Sequence, residues 1–128
     1  MREVALDVAL AVHEAQIAEH GGALGIREPG LLESALLRPK TAHAYTDDGL
    51  DTVTLAALHA IAIIRNRPFV DGNKRVGLTL LELFLNLHGF TLDADDAAAV
   101  SAIVDLAAGE ASDEYFIDWV RRMAIPVR

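Results

Sequence analysis

The chain has 128 residues, of which 52% are hydrophobic but only 5% aromatic, and its formal net charge is −8. This length predicts one domain over residues 1–128, and the negative charge disfavours direct binding to nucleic acid, whose phosphates attract basic surfaces. The absence of cysteine excludes a disulfide framework, a thiolate metal site and a cysteine nucleophile.

The first third of the chain predicts two helices. Apolar residues recur at helical spacing from Glu3 to Glu19, and two glycines then end the helix. Charged residues in this segment would interrupt a secretory signal, so we expect a cytoplasmic protein. We also expect no membrane segment, because no apolar run approaches the roughly 18 residues of a spanning helix. After a turn at residues 27–30, a short helix starts at Leu31 and is expected to end before Pro39, which leaves residues 40–49 as a loop.

The middle of the chain predicts two helices joined by a loop. Asp51–Thr52 can cap a third helix that runs to about Arg65, and its almost wholly apolar centre places it in the core. Pro68 interrupts this helix. A new helical periodicity begins after Gly72–Asn73 and ends near His88, which gives a fourth helix.

The last third predicts two further helices, from Asp93 to Ala108 and from Ser112 to Ala124, which Gly109 separates. No segment shows the two-residue alternation that is typical of a strand. The sequence therefore predicts an all-α fold, a compact bundle of about six helices. The loop between the third and fourth helices joins its two central members.

This loop, from Arg65 to Arg75, is rich in charged and amide side chains for a connection between core helices. Gly72 allows a ligand to approach the backbone closely, and the N–H groups of the next three residues would be open donors at a helix start. Such a start binds anions, especially phosphate. Asn73, Lys74 and Arg75 add an amide, a point charge and a planar fork that can hold two phosphate oxygens.

Asp71 stands directly before this helix start. It can hold Mg²⁺ through one carboxylate, with phosphate oxygens and water as the other ligands. The residues alone therefore predict a Mg-nucleotide site. A simpler interpretation stays open, in which Asp71 and Arg75 form an i,i+4 ion pair and Gly72–Asn73 only starts a helix.

The run Pro68-Phe69-Val70-Asp71-Gly72-Asn73-Lys74-Arg75 resembles the signature loop of the Fic/Doc family, in which a histidine, a phenylalanine, an acidic residue and Asn-x-Arg follow at this spacing. Residues 25–39 resemble the stretch before the target-binding flap of death-on-curing (Doc) toxins. The resemblance implies that Phe69 anchors the loop in the core and that Asp71 binds Mg²⁺. It also implies that nucleotide phosphates are held by Gly72, Asn73 and Arg75.

Lys74 is similar to the Doc branch, whereas members that transfer adenylyl groups have glycine at this position. The resemblance implies a Doc-like protein kinase, the toxin of a toxin–antitoxin pair, that transfers a phosphoryl group from ATP with Mg²⁺ to elongation factor Tu. Because the chain lacks the family's inhibitory [S/T]-x-x-x-E-[G/N] pattern, a separate cognate antitoxin is expected. A protein adenylyltransferase and a non-catalytic nucleotide- or antitoxin-binding module remain alternatives.

Arg67 occupies the position of the family's catalytic histidine, which accepts the proton of the attacking hydroxyl. A guanidinium stays protonated near neutral pH and offers no lone pair, so we expect this form to be inactive. Three explanations stay open: a substitution that permits production of a lethal toxin, a natural pseudoenzyme, and a site with another base. No other histidine is an obvious replacement. We expect His59 in the core, His43 in a solvated loop, and surface or capping positions for His13, His20 and His88.

Overall fold

A computed structural model of the chain describes residues 4–127 as a bundle of six helices with one small sheet. The helices are α1 (Leu6–His20), α2 (Pro29–Ala44), α3 (Thr52–Asn66), α4 (Asn73–Leu87), α5 (Asp96–Ala108) and α6 (Asp113–Met123), and the strands are β1 (Phe90–Leu92) and β2 (Ala124–Pro126). The predicted all-α fold is confirmed. Glu3, the predicted start of the first helix, lies outside the described residues. Within residues 4–127, no helix is long and apolar enough to cross a membrane.

Helix α3 lies at the centre of the bundle, as its apolar sequence predicts. Most of its residues from Val53 to Ile64 are buried, and it packs against α2, α4 and α6. Small side chains make this close packing possible. On α4, for example, a Cβ added at Gly77 would lie 3.5 Å from the backbone oxygen of Ala60, in van der Waals contact with α3. The loop from α3 to α4 therefore starts and ends on the two most buried helices.

Helix α2 is longer than the sequence predicts at both of its ends. It begins at Pro29, because a proline suits the first helical position, where its N–H would have no partner. It then continues through Pro39 to Ala44, so the predicted end before Pro39 and the predicted loop over residues 40–44 are wrong. Packing against α3 stabilises the helix across the proline. The buried face of α2 consists of Leu32, Ala35 and Pro39.

The sequence analysis did not predict the sheet. Strands β1 and β2 pair antiparallel, with Thr91 opposite Ile125, and each has three residues, which is too short to show an alternation. The backbone N–H of Asp93 donates to the oxygen of Met123 at 2.7 Å and continues this pairing. This bond ties residue 93 to the strand pair, and α5 starts at Asp96 and not at the predicted Asp93. Asp95 caps the helix by accepting the Ala98 N–H.

Candidate functional site

The loop between α3 and α4 has a left-handed residue at each end. Arg67 ends α3 with φ 47° and ψ 57°, and its N–H still donates to the Ile63 oxygen at 2.9 Å. Gly72 precedes α4 with φ 85° and ψ 9°. A left-handed residue next to right-handed ones directs successive N–H groups into one concave face, which attracts anions. The backbone therefore provides an anion-binding shape at Gly72.

The first turn of α4 keeps its N–H groups open. The first hydrogen bond into the helix runs from the Val76 N–H to the Gly72 oxygen at 2.9 Å, and no side chain caps the helix start. Within the described part of the chain, the N–H groups of residues 72–75 have no protein acceptor. Four consecutive donors and the positive end of the helix dipole thus point the same way.

The side chain of Asn73 braces the loop from within. Its Oδ1 accepts the Phe69 N–H at 3.0 Å, and its Nδ2 donates to the Phe69 oxygen at 2.9 Å. The Phe69 side chain is fully buried, and its ring stacks on the ring of His13 with 3.9 Å between centroids. Both polar atoms of the Asn73 side chain are therefore engaged in holding the loop, while its backbone N–H stays open to a ligand.

The segment between α1 and α2 supports the same loop from another side. Residues 25–27 pair with residues 68–70 through two backbone bonds, from the Val70 N–H to the Gly25 oxygen at 3.0 Å and from the Arg27 N–H to the Pro68 oxygen at 2.7 Å. The Arg27 guanidinium also donates to the Arg67 oxygen at 2.7 Å. The loop is therefore held by contacts distant in sequence, which suits a binding site that must keep its shape.

Asp71 is exposed, and among the residues that the structure describes only one of its carboxylate oxygens has a protein partner. Oδ2 accepts the Ala23 N–H at 2.8 Å. The i,i+4 ion pair with Arg75 does not form, because Arg75 instead lies 3.5 Å from Asp96. Among residues 4–127, no three side chains of the metal-binding kinds come together. One open carboxylate nevertheless fits Mg²⁺, which proteins commonly hold through one or two carboxylates with phosphate oxygens and water.

A cavity of about 460 Å³ opens over this helix start. Its polar lining contains three cationic side chains and one carboxylate, together with Gly72 and Asn73: the charged residues are Arg67, Lys74, Arg75 and Asp71. Its apolar lining comes from Ile64, Val70 and Ala107. Three cations against one anion make the cavity locally positive in a chain of net charge −8. Such a field favours an anionic ligand, and the volume suits a small molecule.

His13 is a site residue that the sequence analysis missed. The prediction of a surface or capping role is wrong, because His13 is 4% exposed and its Nε2 lies 2.9 Å from the backbone carbonyl oxygen of Asp71. His13 follows the buried Ala9 by four residues, so both share one helix face, but that burial is seen in the structure and has no clear sequence signal. The bond to Asp71 spans 58 residues and has no trace in local sequence.

The other histidines divide between confirmed and wrong predictions. His59 is buried at the core of α3, as predicted, and its Nδ1 hydrogen-bonds the Leu55 oxygen at 2.7 Å. His43 was expected in a solvated loop, but it lies in α2, and its Nδ1 accepts the Leu50 N–H at 2.9 Å. It therefore fixes the turn that follows α2. None of these rings lines the cavity.

Comparison with known proteins identifies a family and two relatives. The sequence model of the Fic/DOC family matches residues 3–85. This span includes the loop and every cavity residue except Ala107. The chain is 31% identical over 123 residues to "Protein kinase doc" of Escherichia phage P1, a match that covers 96% of each chain. It is 38% identical over 76 residues to "Toxin Doc" of Mycolicibacterium smegmatis, which covers 59% of this chain and 58% of the relative.

Proposed function

Because the chain belongs to the Fic/DOC family, we propose that it is a Doc-like toxin that binds MgATP at the start of α4 for phosphoryl transfer to a protein. We further propose that Arg67 blocks this transfer in the present form. The observation that carries the proposal is the positive cavity of about 460 Å³ over four open N–H groups. The choice of phosphoryl transfer is supported by the name of the phage P1 relative.

The proposal assigns the five cavity residues 71–75 a contact with MgATP. The N–H groups of residues 72–75 donate to phosphate oxygens, the Arg75 fork holds two of them, and Lys74 adds a charge. The open oxygen of Asp71 holds Mg²⁺, which neutralises charge on the phosphates when bound. The contact between Arg75 and Asp96 is long and solvent-exposed, so a phosphate can replace it.

Arg67 determines what the proposed site can do. In the transfer, the oxygen of a target hydroxyl bonds to the terminal phosphorus while the bond from that phosphorus to the ADP oxygen breaks. The hydroxyl proton must pass to a base, and a guanidinium has no lone pair to accept it. Loss of a general base typically lowers the rate by about 10²–10⁴-fold. Arg67 therefore leaves a site that binds nucleotide but transfers slowly.

The target and the antitoxin belong to the same proposal. The toxin name of the mycobacterial relative supports a toxin that is neutralised by a cognate antitoxin. As the target we propose elongation factor Tu, on the resemblance of the loop and of Lys74 to the Doc branch. A phosphorylated elongation factor would stop translation.

Arg67 also favours a second candidate, a non-catalytic module that binds nucleotide or antitoxin. Its side chain lines the cavity, where it adds positive charge without supplying a base. Such a site would retain affinity for MgATP and have no turnover. The two candidates differ in whether restoring the base restores the chemistry.

Restoring histidine at residue 67 tests the proposed function. We expect Arg67→His, incubated with MgATP and purified elongation factor Tu, to add one phosphoryl group, seen by mass spectrometry as an increment of about 80 Da. The parent protein and the double variant Arg67→His/Asp71→Asn are the matched controls and should phosphorylate the target at least about 100-fold more slowly. An increment of about 329 Da would instead identify an adenylyltransferase. No adduct despite measured MgATP binding would favour the non-catalytic module, and no MgATP binding would contradict both the proposed kinase and a module that binds nucleotide.

A further inference from the structure

His13 contacts the loop from the side of α1 and does not line the cavity. Because a carbonyl oxygen only accepts, the His13 Nε2 must carry a hydrogen and donate it to the backbone carbonyl oxygen of Asp71, 2.9 Å away. We propose that this bond makes His13 a positioning residue that aims the open N–H groups of the loop at a phosphate. The inference rests on the proposed function, because it names what keeps that anion site in shape.

The geometry of one peptide group links His13 to the cavity. The peptide between Asp71 and Gly72 is planar and trans, so its C=O and its N–H point in opposite directions. With the C=O held toward α1, the Gly72 N–H is turned away from α1, and Gly72 lines the cavity. If this peptide rotated, the N–H would leave the cavity and the left-handed start of α4 would change. The bond from His13 opposes that rotation.

Packing places the His13 ring where it can exert this control. A Cβ added at Gly72 would lie 3.3 Å from Cδ1 of Ile17 and 3.6 Å from Cδ2 of His13, so α1 fits tightly against the loop. The same ring stacks on Phe69 with an interplanar angle of 12°. The stack and the hydrogen bond make different demands: any flat ring can stack, whereas only a correctly placed donor can hold the Asp71 oxygen. Two substitutions can therefore separate the two contacts.

The variants His13→Phe and His13→Gln separate ring from donor. Phenylalanine keeps the ring and loses the N–H, whereas glutamine loses the ring and keeps a donor of similar reach. The control is His88→Phe, because the His88 Nδ1 also bonds a carbonyl oxygen, that of Phe84 at 2.9 Å, and its ring stacks on Phe84. His88 follows the end of α4 that is far from the loop. Loss of the hydrogen bond at His88 should therefore leave the site intact.

We expect isothermal titration calorimetry with MgATP to show about tenfold weaker binding for His13→Phe, since one hydrogen bond is lost. His13→Gln should bind within about threefold of the parent, and His88→Phe should bind like the parent. The melting temperatures of the two phenylalanine variants should be similar. Equal binding by all variants would overturn the inference. So would binding that is as weak in His13→Gln as in His13→Phe, because the ring and not the donor would then matter.

A second measurement needs no nucleotide. In the free protein, the heteronuclear NOE of the Gly72 amide should fall in His13→Phe and match the parent in His13→Gln and His88→Phe, because loss of the bond releases the peptide. An unchanged NOE in His13→Phe would overturn the inference. A parent that does not bind MgATP would overturn the proposed function, and the NOE would still decide whether His13 holds the loop.

Discussion

Single residues of the loop either hold its shape or face the cavity. The sequence identifies which residues belong to the site better than it shows where their side chains point. The motif marks Asn73 as a phosphate ligand by resemblance, yet its side chain is bonded to both backbone polar groups of Phe69. That direction depends on the left-handed backbone at Gly72 and on the buried Phe69 ring. Neither follows from the spacing of residues, so the sequence locates the site without dividing these roles.

The role of Asn73 predicts an unusual order of stabilities. Asn73→Asp removes the donor to the Phe69 oxygen and sets a carboxylate against it, which should lower the free energy of unfolding by about 1–2 kcal/mol. The control is the same change at Asn86, which is exposed in the last turn of α4. The helix dipole alone would favour the acid at residue 73 and disfavour it at residue 86. Urea denaturation that follows the dipole order would contradict the bracing role.

Helices and strands were predictable to the extent that their ends carry local signals. Asp51 and Ser112 cap α3 and α6 by accepting N–H groups three residues ahead, as their position before an apolar run predicts. The continuation of α2 past Pro39 and the pairing of β1 with β2 were not predictable in this way. Both depend on a partner distant in sequence, α3 in the first case and the other strand in the second.

Two glycine substitutions test this view of helix ends. Gly30 lies in the first turn of α2 with open space around an added Cβ, so Gly30→Ala should raise the free energy of unfolding by about 0.5 kcal/mol. Gly109 ends α5 with φ 78°, also with open space. Gly109→Ala should lower the free energy of unfolding by about 1 kcal/mol, because an L side chain is strained in that conformation. Equal effects in thermal or urea unfolding would show that backbone conformation does not control these ends.

In the whole molecule, α6 lies antiparallel to α3 with an ion pair at each end of the contact. Arg65 at the end of α3 meets Asp113 at the start of α6 with 2.8 Å between Nη2 and Oδ1. At the other end, Arg121 Nη1 lies 2.7 Å from Oδ2 of Asp51, the residue that caps α3. These partners are 48 and 70 residues apart, so no local pattern could pair them. The pairs join α6 to both ends of the central helix, on which the loop also depends.

The pair at Asp51 predicts how stability depends on pH. The hydrogen bond from Arg121 is the main reason that the pKa of Asp51 falls from 3.8 to about 2. Because the folded pKa is lowered, the unfolded chain binds more protons between these values. The stabilisation is therefore complete above about pH 4 and is lost as the pH falls toward 2. Since the side chains of Asp51 and Arg121 are both about half exposed, we expect the pair to stabilise the fold by about 0.5–1 kcal/mol.

Asp51→Asn isolates this contribution, because asparagine is an equally good cap but carries no charge. In urea denaturation, the variant should be less stable than the parent at pH 6, and the difference should shrink as the pH approaches 2. The matched control is Asp95→Asn, since Asp95 caps α5 through the Ala98 N–H and no arginine partner is seen in the described part of the chain. Added salt should also reduce the difference at residue 51, as screening weakens an exposed pair. A difference at residue 51 that is independent of both pH and salt would mean that α6 is held in register by apolar packing alone.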